Sequence, residues 1–278
     1  MAENQANPLS KFFRQPAIYV KLPSEGKGYP QGVIDMPPNG ELPIYPMTAL
    51  DEIMSRTPDA LYNGSATTEI FRSCVPNIKD PWAILQTDVD LLLVAIRIAS
   101  YGHEMEMGST CPECKERSDF TLDLRNVLDK IKTVDYTDPL TTSGMTIYFS
   151  PMSYKQLNEN ATRQFEEQKA LSMADNPDVS EEDKASLLQR SLANITNLTI
   201  DSLVNSINTI QLDDTPVTDK QQIRELLVNC DRKLFSQIRD HVVALRGQGE
   251  LEPLQLTCPE CKHEFIQAFT LDQANFFG

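Results

Sequence analysis

Two cysteine pairs, far apart in the chain, constrain its fold more than any other feature. The hexapeptide Thr-Cys-Pro-Glu-Cys-Lys occurs at residues 110–115 and again at 257–262, and each copy is followed by Phe-Thr-Leu-Asp. A Cys-x-x-Cys turn presents two thiolates on one tight corner, and two such corners supply the four ligands of a tetrahedral zinc site. We therefore expect one structural Zn²⁺ per chain. Its predicted ligands are Cys111, Cys114, Cys258 and Cys261.

The two pairs have three other interpretations: redox dithiols, two local disulfides, or thiols without a metal. A redox pair would need a context such as Trp-Cys-Gly-Pro-Cys after a strand, which neither copy has. Disulfide frameworks belong to short secreted chains, and we find no apolar signal peptide at the N-terminus. A site closed by four cysteines leaves no open position for water or substrate. The pattern therefore favours a structural metal over a catalytic one.

The composition is acidic, with a net charge of −15 and a pI of about 4.6. Nucleic-acid binding depends on Lys and Arg that neutralise phosphates, so this balance disfavours it. The longest apolar stretch, residues 91–96, is too short to span a bilayer, so no membrane partner is expected. The remaining cysteines, Cys74 and Cys230, sit singly in apolar helical contexts. Both are interpreted as small core residues in a reducing cytoplasm.

The hydrophobic pattern predicts an α+β, mainly α-helical chain in which a large helical insertion separates the two halves of a zinc ribbon. Each Cys-x-x-Cys corner, with the apolar run after it, is expected to form one hairpin of that ribbon. The predicted segments are an extended Pro/Gly-rich arm (1–47), a helical domain (48–102), the first ribbon half with a hairpin (103–152), a helical insertion (153–247), and the second ribbon half with the C-terminus (248–278).

Capping signals place several of the helices. Thr48, with Asp51 three residues later, resembles a capping box. Thr87 is predicted to cap the most apolar helix, residues 88–100, which should be buried because it is apolar almost all round. Within the insertion, residues 185–210 carry leucines and isoleucines near helical spacing and are predicted to be helical.

No catalytic motif is evident. The sequence has no Gly-rich phosphate loop, no Gly-x-Ser-x-Gly elbow and no His-Glu-x-x-His. The three histidines are interpreted as a polar strand-start residue (His103), a satisfied helix residue (His241) and a possible hydrogen-bond partner of a cysteine sulfur (His263). We therefore predict no catalytic residues, no cofactor-binding residues other than the metal ligands, and no enzyme.

Two segments are candidates for protein contacts. The arm is too rich in Pro and Gly to build its own core, so its apolar residues must cover either this chain's helical domain or another protein. Those residues are Phe12, Phe13, Ile18, Tyr19 and Tyr29. The insertion has an acidic helix start at residues 181–183, which suits a helix N-terminus and is either a solvated face or an interaction surface.

A set of short segments, together with the two Cys-Pro-x-Cys turns (the knuckles), matches a known pattern. The segments are 11–24, 28–30, 41–49, 56–64, 73–79 and 96–106. Together they resemble the T4-type phage baseplate proteins of the baseplate hub and hub-assembly group. The resemblance covers roughly the first 125 residues and the last 25 or so, and is weak in the helical middle.

This resemblance implies a non-enzymatic structural or assembly component of the contractile tail. Its partners would be other baseplate hub proteins, with the tape-measure protein as one candidate, and no nucleic acid. Its location would be the host cytoplasm during assembly or the tail baseplate of the virion. The alternative from another class is a zinc-ribbon nucleic-acid-binding or transcription-related adaptor, and a metal-dependent enzyme is third. Only the four cysteines carry over as functional positions.

Overall fold

The computed structural model describes residues 7–56, 64–174, 180–213, 215–269 and 271. These residues form a mixed α/β fold with 48% helix and 20% strand. The α-helices are α1 Ala49–Ser55, α2 Ser65–Cys74, α3 Gln86–Tyr101, α4 Leu124–Lys130, α5 Tyr154–Ala174, α6 Glu181–Ser206, α7 Lys220–Asn229 and α8 Arg232–Gln248. The strands are β1 Ile18–Val20, β2 Leu42–Ile44, β3 Glu104–Thr110, β4 Arg117–Asp123, β5 Leu140–Thr142, β6 Met145–Phe149, β7 Ile207–Leu212, β8 Thr215–Val217, β9 Leu254–Thr257 and β10 Glu264–Gln267. Within these ranges no helix is both long and apolar enough to cross a bilayer.

The first of two hydrophobic cores surrounds α3. This helix is buried along residues 89 and 91–96, as its apolar pattern predicted. It packs with α2 and with the antiparallel pair β1–β2, and Phe71, Leu42 and Ile44 from those elements are fully buried. The capping box of α1 is confirmed, because Thr48 and Asp51 exchange both of its hydrogen bonds.

The predicted start of α3 is wrong. The helix begins at Gln86 with Leu85 at its N-cap, and Thr87 lies inside it with its hydroxyl buried and unpaired. A backbone carbonyl, and not a capping side chain, accepts the hydrogen bond from the first N–H of this helix. The N–H of Gln86 donates to the Met152 carbonyl at 2.8 Å, and Leu85 forms a β-bridge with Ser153. The N-terminus of α3 is therefore positioned by a distant segment rather than by a local cap.

The arm packs mainly on its own chain. Val20, Leu22 and the β2 residues belong to the first core. Two hydrogen-bonded contacts hold the arm there. At the first, Ser24 donates from its N–H (2.9 Å) and its Oγ (2.5 Å) to Asp88, which also accepts from Tyr29 Oη at 2.5 Å. At the second, Arg14 donates to the carbonyl of Ser73 at 2.7 Å.

The second core lies between the sheet β5–β6–β7–β8 and the helices α6, α7 and α8. The prediction of helix through residue 210 is wrong here, because the chain changes from α6 to β7 at Ile207. The cause is pairing with the 140–149 hairpin: Ile210 lies opposite Ile147, and Ile207 lies opposite Phe149. Ile207 and Ile147 are fully buried, so burial on the sheet outweighs the local helical pattern.

Candidate metal centre

The two cysteine knuckles have the same local structure. Each joins the strands of a two-stranded antiparallel hairpin, β3–β4 for the first and β9–β10 for the second. In the first, the Cys111 N–H donates to the Glu116 carbonyl at 2.9 Å, and in the second the Cys258 N–H donates to the His263 carbonyl, also at 2.9 Å. Both turns close on a lysine in the left-handed region, Lys115 with φ 62° and Lys262 with φ 60°. The repeated hexapeptide therefore encodes one turn, used twice.

Side chains beyond the cysteines join the two hairpins. Phe120 and Phe265 meet edge to face with their ring centroids 6.3 Å apart. Between β3 and β10, Ser109 Oγ donates a hydrogen bond to Gln267 Oε1 at 2.8 Å. These contacts place the two knuckles at the same end of the paired hairpins. Cysteines about 150 positions apart in sequence therefore lie next to each other.

The four sulfur atoms form a compact cluster. Cys111 Sγ lies 3.7 Å from Cys261 Sγ, and Cys114 Sγ lies 3.7 Å from Cys258 Sγ. All four sulfurs lie within 4.8 Å of one another. A tetrahedron with metal–sulfur bonds of about 2.3 Å has edges of about 3.8 Å, so the spacing fits a tetrahedral four-thiolate site. The cluster could hold a metal ion.

The same distances contradict the disulfide alternative. A disulfide needs its sulfurs about 2.05 Å apart, and all four cysteines are free thiols. The closest pairs also run between the knuckles instead of within one, which two local disulfides would not produce.

The surroundings shift the pKa values of two of the four thiols in opposite directions. Backbone N–H groups of Cys261 and then Glu260 donate towards Cys258 and help to lower the pKa of its thiol to about 7. At Cys114 the Glu116 N–H lowers the pKa, but burial and hydrogen bonds with the other three thiols outweigh it and raise the pKa to about 12. Four crowded thiols cannot all ionise unaided. A bound divalent cation would supply the opposite charge that makes four thiolates stable.

The sulfur cluster does not include Cys74, Cys230, His241 or His263. Cys74 is fully buried in the first core, and its burial raises the pKa of its thiol to about 12. Cys230 is half-buried beside the second core. His241 packs against Phe149 with ring centroids 4.7 Å apart, and His263 stacks on Phe265 at 6.4 Å. Among the described residues, the four cysteines are the one cluster of His, Cys, Asp or Glu side chains close enough to share a metal.

Sequence reasoning missed the residues that anchor the arm. Arg14 reaches Pro46, Ser73 and Asp51, and its Nη1 lies 3.9 Å from the Cys74 sulfur. In the sequence Asp88 is only the first residue of the predicted helix 88–100, whereas in the structure it is buried and accepts three hydrogen bonds from the arm. A charged residue inside an otherwise apolar helix was the available signal, because such a residue is rarely buried without partners.

Comparison with known proteins identifies the family. Searches of curated proteins and of solved structures find no match to this chain. A family model described as T4 bacteriophage base plate protein matches residues 9–278, which includes the helical middle as well as both knuckles. The chain therefore belongs to the T4 bacteriophage base plate protein family.

Proposed function

We propose that this chain is a non-enzymatic structural or assembly protein of the baseplate hub, and that it acts by binding other tail proteins. Membership of the base plate family carries the proposal. The meeting of four cysteines supports a structural role, because a closed thiolate site offers substrate no coordination position. Partners among the hub proteins, including the tape-measure protein, belong to the proposal, as does presence in the host cytoplasm before the tail is complete.

We further propose that the four cysteines bind one structural Zn²⁺ and that the two hairpins are halves of a split ribbon, with the helical insertion (153–247) between them. The fit of the sulfur spacing to a four-thiolate tetrahedron supports this. When bound, the metal neutralises the thiolates and adds a strong cross-link. The protein's own contribution is the pair of knuckle turns that direct the sulfurs, and the Phe120–Phe265 contact that aligns the hairpins.

The knuckle surface gives no support to the nucleic-acid alternative. Its exposed cations are interspersed with at least as many exposed carboxylates, as shown by Lys115, Lys262, Glu113 and Glu260. Phosphate recognition requires a positive surface. In a gel-shift assay at low salt we expect no binding of DNA or RNA, and tight salt-sensitive binding would favour the adaptor function instead.

The test of the main proposal is complementation of phage that lack this chain, together with proteomics of purified tails and of assembly intermediates. We expect the wild-type chain to restore tail assembly and to be detected with hub proteins in at least one of these fractions. Normal tail assembly without the chain would contradict the proposal.

A further inference from the structure

A groove runs between α5, α6 and α8 on the surface of the inserted segment. Its volume is about 400 Å³, and we call it the α6 groove. Its lining combines polar side chains of α5 with apolar side chains of α6 and α8 and two arginines of α8. The residues used below are Ile195, Leu198, Val242, Val243, Arg239 and Arg246.

An exposed apolar stripe continues from the groove along α6. Leu188, Leu192 and Ile195 occur at i, i+4 and i+7, and Leu192 is 62% exposed. A different face of α6 contacts α5, about a quarter turn away from the stripe. There Asn194 Nδ2 donates a hydrogen bond to Glu167 Oε1 at 2.7 Å, and the nearby Ser191 is buried. The stripe is therefore additional to the intramolecular packing. Its spacing is that of a coiled-coil seam, whose natural partner is another α-helix.

The charge of the groove is opposite to that of the whole chain. The protein has a net charge of −15, yet the groove is lined by two arginines and no carboxylate. Arg246 is held in place by Ser202 Oγ at 2.8 Å and Ser206 Oγ at 2.9 Å. Among the described residues no carboxylate forms an ion pair with it, and Arg239 pairs only with its neighbour Asp240. A half-buried guanidinium without an anion favours a carboxylate from outside.

We propose that the α6 groove and stripe bind an amphipathic α-helix of another protein, which presents aliphatic residues at coiled-coil spacing and a carboxylate to Arg239 and Arg246. This inference rests on the proposed function, in which the chain acts through protein contacts. A second copy of the chain fits less well. In a two-fold pairing the same groove of each copy would meet, and two arginine-lined surfaces would repel.

Two three-heptad peptides test the inference, and both carry leucine at the a and d positions with alanine and glutamine elsewhere. One has glutamates in its last turn, and the other has lysines there. Binding to the full chain is measured by fluorescence anisotropy at several salt concentrations. We expect the glutamate peptide to bind about tenfold or more tightly than the lysine peptide, with the difference shrinking as salt rises.

Three variants locate the site. Leu192→Gln should weaken binding of the glutamate peptide on the order of tenfold, since it removes an apolar anchor at an exposed position. Arg239→Glu should remove or reverse the preference for glutamate over lysine. Lys233→Glu is the matched control, because it makes a similar charge change at an exposed position of α8 outside the groove lining and should alter neither affinity.

Equal binding of the two peptides, or binding unaffected by Leu192→Gln and Arg239→Glu, would overturn the inference. Absence of binding by both peptides would also overturn it. Sedimentation of the chain alone is the remaining measurement: a dimer lost in Leu192→Gln would assign the face to a second copy. None of these outcomes affects the proposed function if the wild-type chain still complements assembly, so the two failures are distinguishable.

Discussion

At the residue scale, each knuckle contains a non-glycine residue with a positive φ. Lys115 and Lys262 adopt left-handed conformations that cost an L-residue about 1–2 kcal/mol each. In both turns the same lysine N–H donates back to the first cysteine carbonyl, at 3.1 Å in one and 3.0 Å in the other. The strained residue thus closes the turn that directs the sulfurs. Zinc affinity, roughly 10–16 kcal/mol in small zinc-binding peptides, would far exceed this cost.

The first prediction separates ligands from core cysteines. Cys258→Ser should lose the metal and loosen the C-terminal hairpin, because it removes one of four ligands. Cys74→Ser and Cys230→Ser are the matched controls and should keep one zinc per chain, since both thiols lie outside the cluster. Elemental analysis of protein purified without chelator checks this. Zinc loss from either control, or a wild-type ratio of zero or two, would show that the ligand set is wrong.

The second prediction concerns Asp90, a partly buried carboxylate of α3. Burial raises its pKa from 3.8 to about 6. The folded state therefore holds the proton more tightly than the unfolded chain, and the associated stability is lost as the pH rises from about 4 to about 6. Asp90→Asn should stabilise the protein at pH 7 by on the order of 1 kcal/mol.

Denaturant unfolding of both proteins from pH 4 to pH 7 measures this effect. Most of the advantage of Asp90→Asn should be gone near pH 4, where the folded state keeps the Asp90 proton and the unfolded chain is about half protonated. Asp129→Asn, at an exposed position of α4, is the control and should change stability little at any pH. A pH-independent gain from Asp90→Asn would contradict the explanation.

At the element scale, part of the arm is hydrogen-bonded to its own chain, and part of it is exposed to solvent. Ser24 and Tyr29 attach it to α3 through Asp88, and Arg14 attaches it to the end of α2. Phe12 and Phe13, by contrast, are 74% and 58% exposed. A truncation of residues 1–15 would remove the anchor and the exposed rings together. Substituting the rings alone separates folding from binding.

The third prediction is that the double substitution Phe12→Ser and Phe13→Ser reduces tail assembly while leaving zinc content and unfolding free energy within about 0.5 kcal/mol of wild type. Exposed rings contribute little to stability, but they are suitable anchors for a partner. Complementation yield and denaturant unfolding provide the measurements. Arg14→Ala is the contrasting variant and should lower stability, because it leaves Asp51 buried without its cation. Wild-type yield from the double variant would mean that the arm is not an interface.

At the scale of the whole molecule, the part of the chain that the structure describes has two hydrophobic cores and one cysteine cluster that joins distant hairpins. Neither core depends on the cluster for most of its buried side chains. The C-terminal segment has less support, since its two-stranded hairpin depends on the knuckles, on Phe269 in the first core, and on exposed pairs such as Lys132–Glu252. An isolated two-stranded hairpin is at best marginally stable in water.

The fourth prediction follows from that organisation. Removal of the metal with a chelator should release the β9–β10 hairpin, residues 254–267, while both cores remain folded, so local opening precedes global unfolding. Hydrogen exchange followed by mass spectrometry should show faster exchange in β9 and β10, with little change in α3 or α6. Chelation of Cys258→Ser provides the control and should add nothing. Cooperative unfolding of the whole chain on chelation at 25 °C would contradict this prediction.

The sequence by itself determined the features that are local or repeated. The knuckle turns follow from Cys-Pro-Glu-Cys-Lys, the Thr48–Asp51 capping box from its spacing, and the burial of α3 from an apolar pattern with almost no polar face. The pairing of the two knuckles was predictable because a tetrahedral Zn²⁺ site needs four ligands, and a single Cys-x-x-Cys turn supplies only two. In each case the residues that decide the structure are neighbours in sequence or exact repeats.

Only the tertiary structure decided which distant segments complete one another. Residues 207–210 lie in a stretch whose pattern predicts a helix, and they form part of β7 because β6 offers backbone partners and a buried face. The start of α3 was set by the Met152 carbonyl, and the position of the arm by a carboxylate and an arginine that meet partners tens of residues away. The α6 groove likewise exists only once α5, α6 and α8 have packed. Such pairings depend on how much apolar surface and how many backbone partners the complete fold offers to each segment. A local sequence pattern does not contain that information.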